Sequence, residues 1–171
     1  MITIITNLSA DRWEEYQKLR IKAVTDVPQA FLATVDEETN KPEEVWRKRL
    51  QDSLDVNGQF LVFAEDDGEL IGLMGAFVED NIKVQHTATV VSVYVNPLYR
   101  GQGISSLLMK GLIDMVSQDT KIIRLELMVV TTQESAIALY KRFGFEMIGT
   151  VHKEVCVDGV YYDEHIMEKM L

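Results

Sequence analysis

The chain has 171 residues, the size of one domain able to bury roughly 70% of the surface its unfolded form exposes. Asp and Glu outnumber Lys and Arg 27 to 17, and the resulting net charge of −10 excludes a broad nucleic-acid surface, which needs concentrated basic residues. The lone Cys156 excludes an internal disulfide and a cysteine-based zinc site; His86, His152 and His165 lack metal-ligand spacing; and the longest uncharged run, Val84 to Tyr99, is too short and too polar to span a bilayer.

Met1 to Trp13 has no basic start followed by a long apolar core, so the chain is expected to stay in the cytoplasm as a single domain over 1–171. Within that opening, Ile2 to Thr6 predicts a first strand. Ser9 is placed to cap a helix whose Trp13, Tyr16, Leu19 and Ala23 recur at helical spacing and therefore face a core. Asp26 to Asn40 shows no period and predicts irregular chain. Pro42 then opens a second helix carrying Val45, Trp46 and Leu50. Phe60 to Ala64 and Leu70 to Val78, joined by Asp66-Asp67-Gly68, predict a hairpin.

Thr87 to Val95 predicts a central strand, Ile104 to Val116 an amphipathic helix, and Ile122 to Val129 the next strand. The run from Ala136 to Phe145 predicts a short helix ended by a Gly144 cap and followed by a strand. Val151 to Val157 and Val160 to Met170 flank Asp158-Gly159, the strongest short hairpin signal in the chain. Strand, helix, strand is a crossover that makes the central pair parallel, while the hairpins are antiparallel. The expected fold is therefore α/β with a mixed sheet flanked by helices.

The stretch Val91 to Lys110 carries the main chemical signal. An apolar strand reaches Arg100-Gly101-Gln102-Gly103 and opens directly into a helix. A helix start offers unpaired N–H groups and a partial positive charge, glycine removes the Cβ atoms that would hold an anion away, and Arg100 adds a full charge. This is a phosphate cradle. Ser106 stands where a dinucleotide fingerprint would have its third glycine, and no Gly-Lys-Ser/Thr follows, so neither of those motifs fits.

Arg-Gly-Gln-Gly-Ile at residues 100–104, followed by Ala136-Ile137, Leu139-Tyr140 and Gly144-Phe145, strongly resembles the GNAT superfamily of acyl-CoA-dependent N-acetyltransferases. The Leu19-Arg20 helix, the Pro28 to Phe31 segment and the closing Asp158-Gly159 hairpin extend the likeness over the chain. The resemblance implies a splayed pair of parallel central strands, with the pantetheine arm of acetyl-CoA along the backbone of Val93, Tyr94 and Val95. It places the pyrophosphate on Arg100, Gly101, Gln102, Gly103, Ile104, Ser105 and Ser106, with Gln133 as a further cofactor contact. Two positions depart from the family pattern: Ser105 replaces a usual Gly or Ala, and Gln133 a frequent Asn. The resemblance also implies a homodimer, no metal, and an acceptor site overlain by the region from Asp26 to the second helix.

Transfer of an acetyl group to an amine needs a neutral amine, stabilisation of the oxyanion and a proton for the departing thiolate. Tyr140 matches the family's general acid; its phenol, of ordinary pKa ~10, must be tuned to protonate a thiolate whose parent thiol has pKa ~8.5. A backbone N–H near Val93 is the expected oxyanion donor. Glu126, alternating with apolar neighbours in Arg124 to Leu127, is the expected base, the alternative being a partner for a basic residue. Asp163 and Glu164 are further acidic groups for the acceptor. The acidic surface would attract a cationic amine. A non-catalytic acyl-CoA-binding module, and an enzyme acting on a protein N-terminus or lysine, are the other functions this pattern allows.

Overall fold

Residues 1–54 and 58–171 are described by a computed structural model. Its strands are β1 (Ile2–Ile5), β2 (Gln59–Asp66), β3 (Glu69–Val78), β4 (Thr87–Val95), β5 (Arg124–Val130), β6 (Glu146–Val157) and β7 (Val160–Met170). The helices are α1 (Trp13–Asp26), α2 (Val35–Asn40), α3 (Glu43–Leu54), α4 (Ile104–Val116) and α5 (Glu134–Arg142). The strands form one sheet in the order β1-β2-β3-β4-β5-β7-β6. Every neighbouring pair is antiparallel except β4 and β5, which α4 joins as a crossover.

Side chains alternate between two cores because successive residues of a strand point to opposite faces. On one face Val62, Ile71, Met74 and Leu125 meet Leu108, Met109 and Leu112 of α4 and Leu139 and Tyr140 of α5. On the other, Phe63, Leu73 and Tyr94 meet Tyr16 and Leu19 of α1 and Trp46 and Leu50 of α3. Tyr16 stands edge-on to both Trp46 and Phe63, with ring centroids 5.1 and 5.3 Å away. The β2–β3 and β6–β7 turns each place an Asp-Gly pair at positive φ, 47° and 88° at Asp67-Gly68 and 49° and 81° at Asp158-Gly159. That is the turn whose twist matches the flanking strands.

The segment expected to be irregular contains α2. Thr34 and Glu37 close a capping box, with the Glu37 N–H donating to Thr34 Oγ1 at 3.2 Å and the Thr34 N–H to Glu37 Oε2 at 2.7 Å. Val35 is the helix's one apolar residue, so no hydrophobic period announces it. β6 begins at Glu146, five residues before the expected strand, because most of this edge strand is exposed and lacks a sustained apolar alternation. Ser9 caps a short 3-10 turn at Ala10–Arg12 that leads into α1.

Candidate active site

β4 and β5 pair only at Thr87↔Arg124, Ala88↔Leu125 and Thr89↔Glu126, and then part. Beyond Thr89, β4 therefore presents backbone groups that β5 does not bond. On its other side β4 carries a bulge: Leu73 pairs with Tyr94 and Gly75 with Val91, leaving Met74 opposite both Ser92 and Val93. Ser92 takes φ 60° to make the extra residue fit. The insertion shifts the alternation by one. Ala88 and Val90 face the α4 core before the bulge, Val93 and Val95 after it, and Tyr94 is turned into the opposite core. There its hydroxyl donates to Asp26 Oδ2 at 2.6 Å, which holds the Asp26 carboxyl below the usual carboxylate range.

The open end of β4 leads into the glycine loop. Gly101 and Gly103 have φ 78° and 79°, a left-handed backbone that favours glycine, and a Cβ on either would point into empty space. Among the described residues, the N–H groups of Gly101, Gln102, Gly103, Ile104 and Ser105 donate to no backbone carbonyl, whereas that of Ser106 donates to Gly103 O at 3.0 Å. A cleft of about 580 Å³ lies against them. Val93, Tyr94, Val95 and Arg100 line it, as do Gly101, Gly103, Ile104, Ser105 and Gln133; Gln102 and Ser106 do not. Arg100 Nε donates to Val95 O at 3.1 Å, tying the loop to the strand end.

A second cavity, of about 560 Å³, lies across the splay and shares Ala30, Val93, Gln133 and Ala136 with the first. Tyr140 lines it from α5 while only 4% exposed, with its ring 5.9 Å from that of Phe145. Burial raises the phenol well above its ordinary pKa. Glu154 of β6 and Glu164 of β7 contribute carboxylates to the same cavity. Burial, and then the neighbouring charge of Glu154, raise the Glu164 carboxyl above its usual range.

The opposite wall comes from the helices. Glu38 of α2, 1% exposed, accepts from Arg20 Nε at 3.2 Å and lies 3.0 Å from Lys41 Nζ and 3.7 Å from an Arg49 guanidinium nitrogen. Arg20 also donates from Nη1 to Ser92 Oγ at 2.8 Å, so α1 holds the bulge of β4. The roles of Glu38, Lys41, Arg49 and Ser92 in this wall were not visible in the sequence. They sit 18 to 72 residues from the Arg20 that joins two of them, on elements with no motif. The Thr34-to-Glu37 capping box was the one available signal for where Glu38 would lie.

Glu126 stands apart and lines neither cavity. On β5 it faces Glu168 of β7, and Arg124 bridges the two carboxylates, bonding each at 2.7 Å. Its alternation with leucines places it on the face away from the leucine core, but its partner is a cation that relieves a cross-strand repulsion. Asp163 also lies outside: it accepts the Lys153 N–H at 2.8 Å and has His152 Nδ1 at 2.9 Å. The described residues hold no group of three His, Cys, Asp or Glu side chains arranged for a metal.

Residues 14–145 match the profile of the Acetyltransferase (GNAT) family. L-amino acid N-acetyltransferase AaaT of Escherichia coli (strain K12) is 26% identical over 150 residues, 88% of this chain and 90% of that protein. Spermine/spermidine N(1)-acetyltransferase of Bacillus subtilis (strain 168) is 26% identical over 136 residues, 77% of this chain and 90% of its own. In fold, the structure of yncA from Salmonella typhimurium with its cofactor acetyl-CoA is similar with a TM-score of 0.83 at 15% identity, covering 99% of this chain and 94% of that one. The splayed parallel pair, the glycine loop at the start of α4 and the match across 14–145 agree: the chain belongs to the acetyltransferase (GNAT) family.

Proposed function

We propose that residues 1–171 act as one N-acetyltransferase domain that moves the acetyl group of acetyl-CoA directly to a small primary amine. The observation that carries this reading is the meeting of the two cavities at Val93, with Tyr140 on the acceptor side. The free N–H groups from Gly101 to Ser105 suit a pyrophosphate, and the unpaired edge of β4 suits the amides of a pantetheine arm. Ser106 is the weakest of the expected contacts, since its N–H already has an acceptor.

In this proposal Glu164 takes the amine's proton, directly or through a water. Its raised pKa brings it closer to a working base than an exposed carboxylate. The nitrogen then bonds to the thioester carbonyl carbon, and the Val93 N–H stabilises the oxyanion. As the carbon–sulfur bond breaks, Tyr140 gives its proton to the thiolate, and the phenolate so formed recovers a proton from the acylated nitrogen, which leaves the neutral amide. A phenol kept neutral by burial enters each turnover with that proton in place, but burial moves its pKa away from the thiol's rather than toward it, so the transfer has to be driven by the thiolate charge that develops beside it. Glu126 is left with Arg124 and Glu168. A cytoplasmic setting and a homodimer belong to the same proposal. Free-thiol release from acetyl-CoA, measured against amino acids, polyamines, aminoglycosides and short peptides, tests it. Release should require both protein and amine; release indifferent to every amine would contradict transfer.

A further inference from the structure

The charges of the acceptor cavity are segregated. Arg20, Lys41 and Arg49 stand on the helical wall around the single carboxylate of Glu38, while Glu154 and Glu164 stand on the strand wall. Arg20 is committed to Glu38 and Ser92 and is only 12% exposed. Lys41 and Arg49 keep more of their surface, 24% and 36%; Glu38 is the one carboxylate within 4.0 Å of either among the described residues, while Glu37 acts on Lys41 from farther away and Arg49 also bonds Tyr16. Both lie over the Trp46 ring, at 6.0 and 5.1 Å from its centroid, a contact that fixes where they sit.

One buried carboxylate is neutralised by one cation. Three cations, of which Lys41 is also drawn on by the exposed Glu37, leave this wall net positive where it faces a partly enclosed cavity. Glu38 Oε2 itself has no hydrogen-bond donor of good geometry, so the cluster is not closed on itself. Guanidinium and ammonium groups so placed match a compact oxyanion. A polyamine entering here would bring further positive charge against this wall. The overall charge of −10 does not reverse that, because exposed charges beyond about 8 Å are screened at physiological ionic strength.

We propose that the acceptor is an amine bearing a carboxylate, an amino-acid-like zwitterion whose anionic end is held by Arg49 and Lys41 and whose ammonium is drawn to Glu154 and Glu164. The inference rests on the reading of this cavity as the acceptor site. Phe31, Leu61, Phe77 and Met128 line the space between and suit an apolar side chain. To the sequence-based expectation that the acidic surface attracts a cationic amine, this proposal adds, for this site, recognition of an anionic group on the same molecule.

Calorimetric titration of the CoA-saturated protein tests this with L-methionine, L-leucine and L-phenylalanine, their amides, and spermidine. At least one amino acid should bind tenfold or more tightly than its own amide, and Arg49→Gln should narrow that ratio severalfold. Lys41→Gln is the second variant should Arg49→Gln melt early. Equal binding of acid and amide, tighter binding of spermidine, no binding of any acid, or a ratio untouched in both variants would overturn the proposal. Thiol release by the same protein and variants, with acetyl-CoA in place of CoA and the same amines, separates the two readings. Acid-selective binding without release keeps the anion site and rejects transfer; release without acid preference does the reverse.

Discussion

Tyr140 packs in the core and, in the proposed mechanism, also supplies a proton. Its ring belongs to the α4–α5 core, and that burial is what raises its pKa and keeps the proton on the phenol. Tyr140→Phe keeps the ring and deletes the donor. Turnover should fall roughly 10²- to 10⁴-fold, with CoA affinity within about twofold of the parent. A variant as active as the parent would make Tyr140 a packing residue alone. Glu126 and Glu164 show the limit of what a sequence conveys about carboxylates. Glu126 stands between two leucines and Glu164 between Asp163 and His165, and strand position reports which face a side chain takes but not what it meets there. Arg124 claims Glu126; burial and Glu154 act on Glu164.

Glu164→Gln should lower the transfer rate near neutral pH, with recovery as rising pH deprotonates the free amine, while Glu126→Gln should leave the pH–rate profile close to the parent's. The linkage gives an independent check. A carboxyl whose pKa is higher in the folded than in the unfolded chain costs stability once pH passes its unfolded value. Glu164→Gln should thus melt at or above the parent's temperature at pH 7, and lose that advantage as pH falls below the ordinary carboxylate range. A profile altered by Glu126→Gln and untouched by Glu164→Gln would return the base to β5.

At the scale of elements, the glycine loop and α4 were readable because their chemistry restricts residue type. Backbone that must take positive φ and stay open to an anion selects glycine, and the strand before it and the amphipathic helix after it mark both ends. The bulge at Ser92 gave no such signal. Serine at φ 60° is held by its surroundings, with Arg20 bonding its hydroxyl, and no local pattern announces a residue whose conformation is imposed from another helix. α2 escaped notice for a related reason, since a capping box around one valine offers no period. Gly103→Val tests the loop. A Cβ there meets nothing within 4 Å, so the cost to the empty fold is the left-handed backbone, about 1–2 kcal/mol. The parent should gain about 2.7 kcal/mol of stability at a hundred times the CoA dissociation constant, and the variant should show little of that gain while still folding. An undiminished shift would remove the loop from cofactor binding.

Over the whole molecule, one sheet with helices on both faces divides the work. α4 and α5 cover the face that carries the glycine loop and Tyr140, whereas α1 to α3 supply the charged wall of the cavity proposed for the acceptor. The order of the central elements followed from crossover geometry and hairpin turns, which are local rules. The charged wall joins α1, the α2 segment and α3 to β4, β6 and β7, and only the folded chain brings these together. The splay between β4 and β5 is where both halves meet, and it is open because the pair stops at Thr89 and Glu126. A crystal structure of the complex with CoA tests that claim most directly. The account predicts the pyrophosphate on the N–H groups from Gly101 to Ser105, the pantetheine arm along β4 from Val95 to Val93, and the sulfur at the junction of the two cavities beside Tyr140. CoA bound elsewhere, or a sulfur pointing away from that junction, would contradict it.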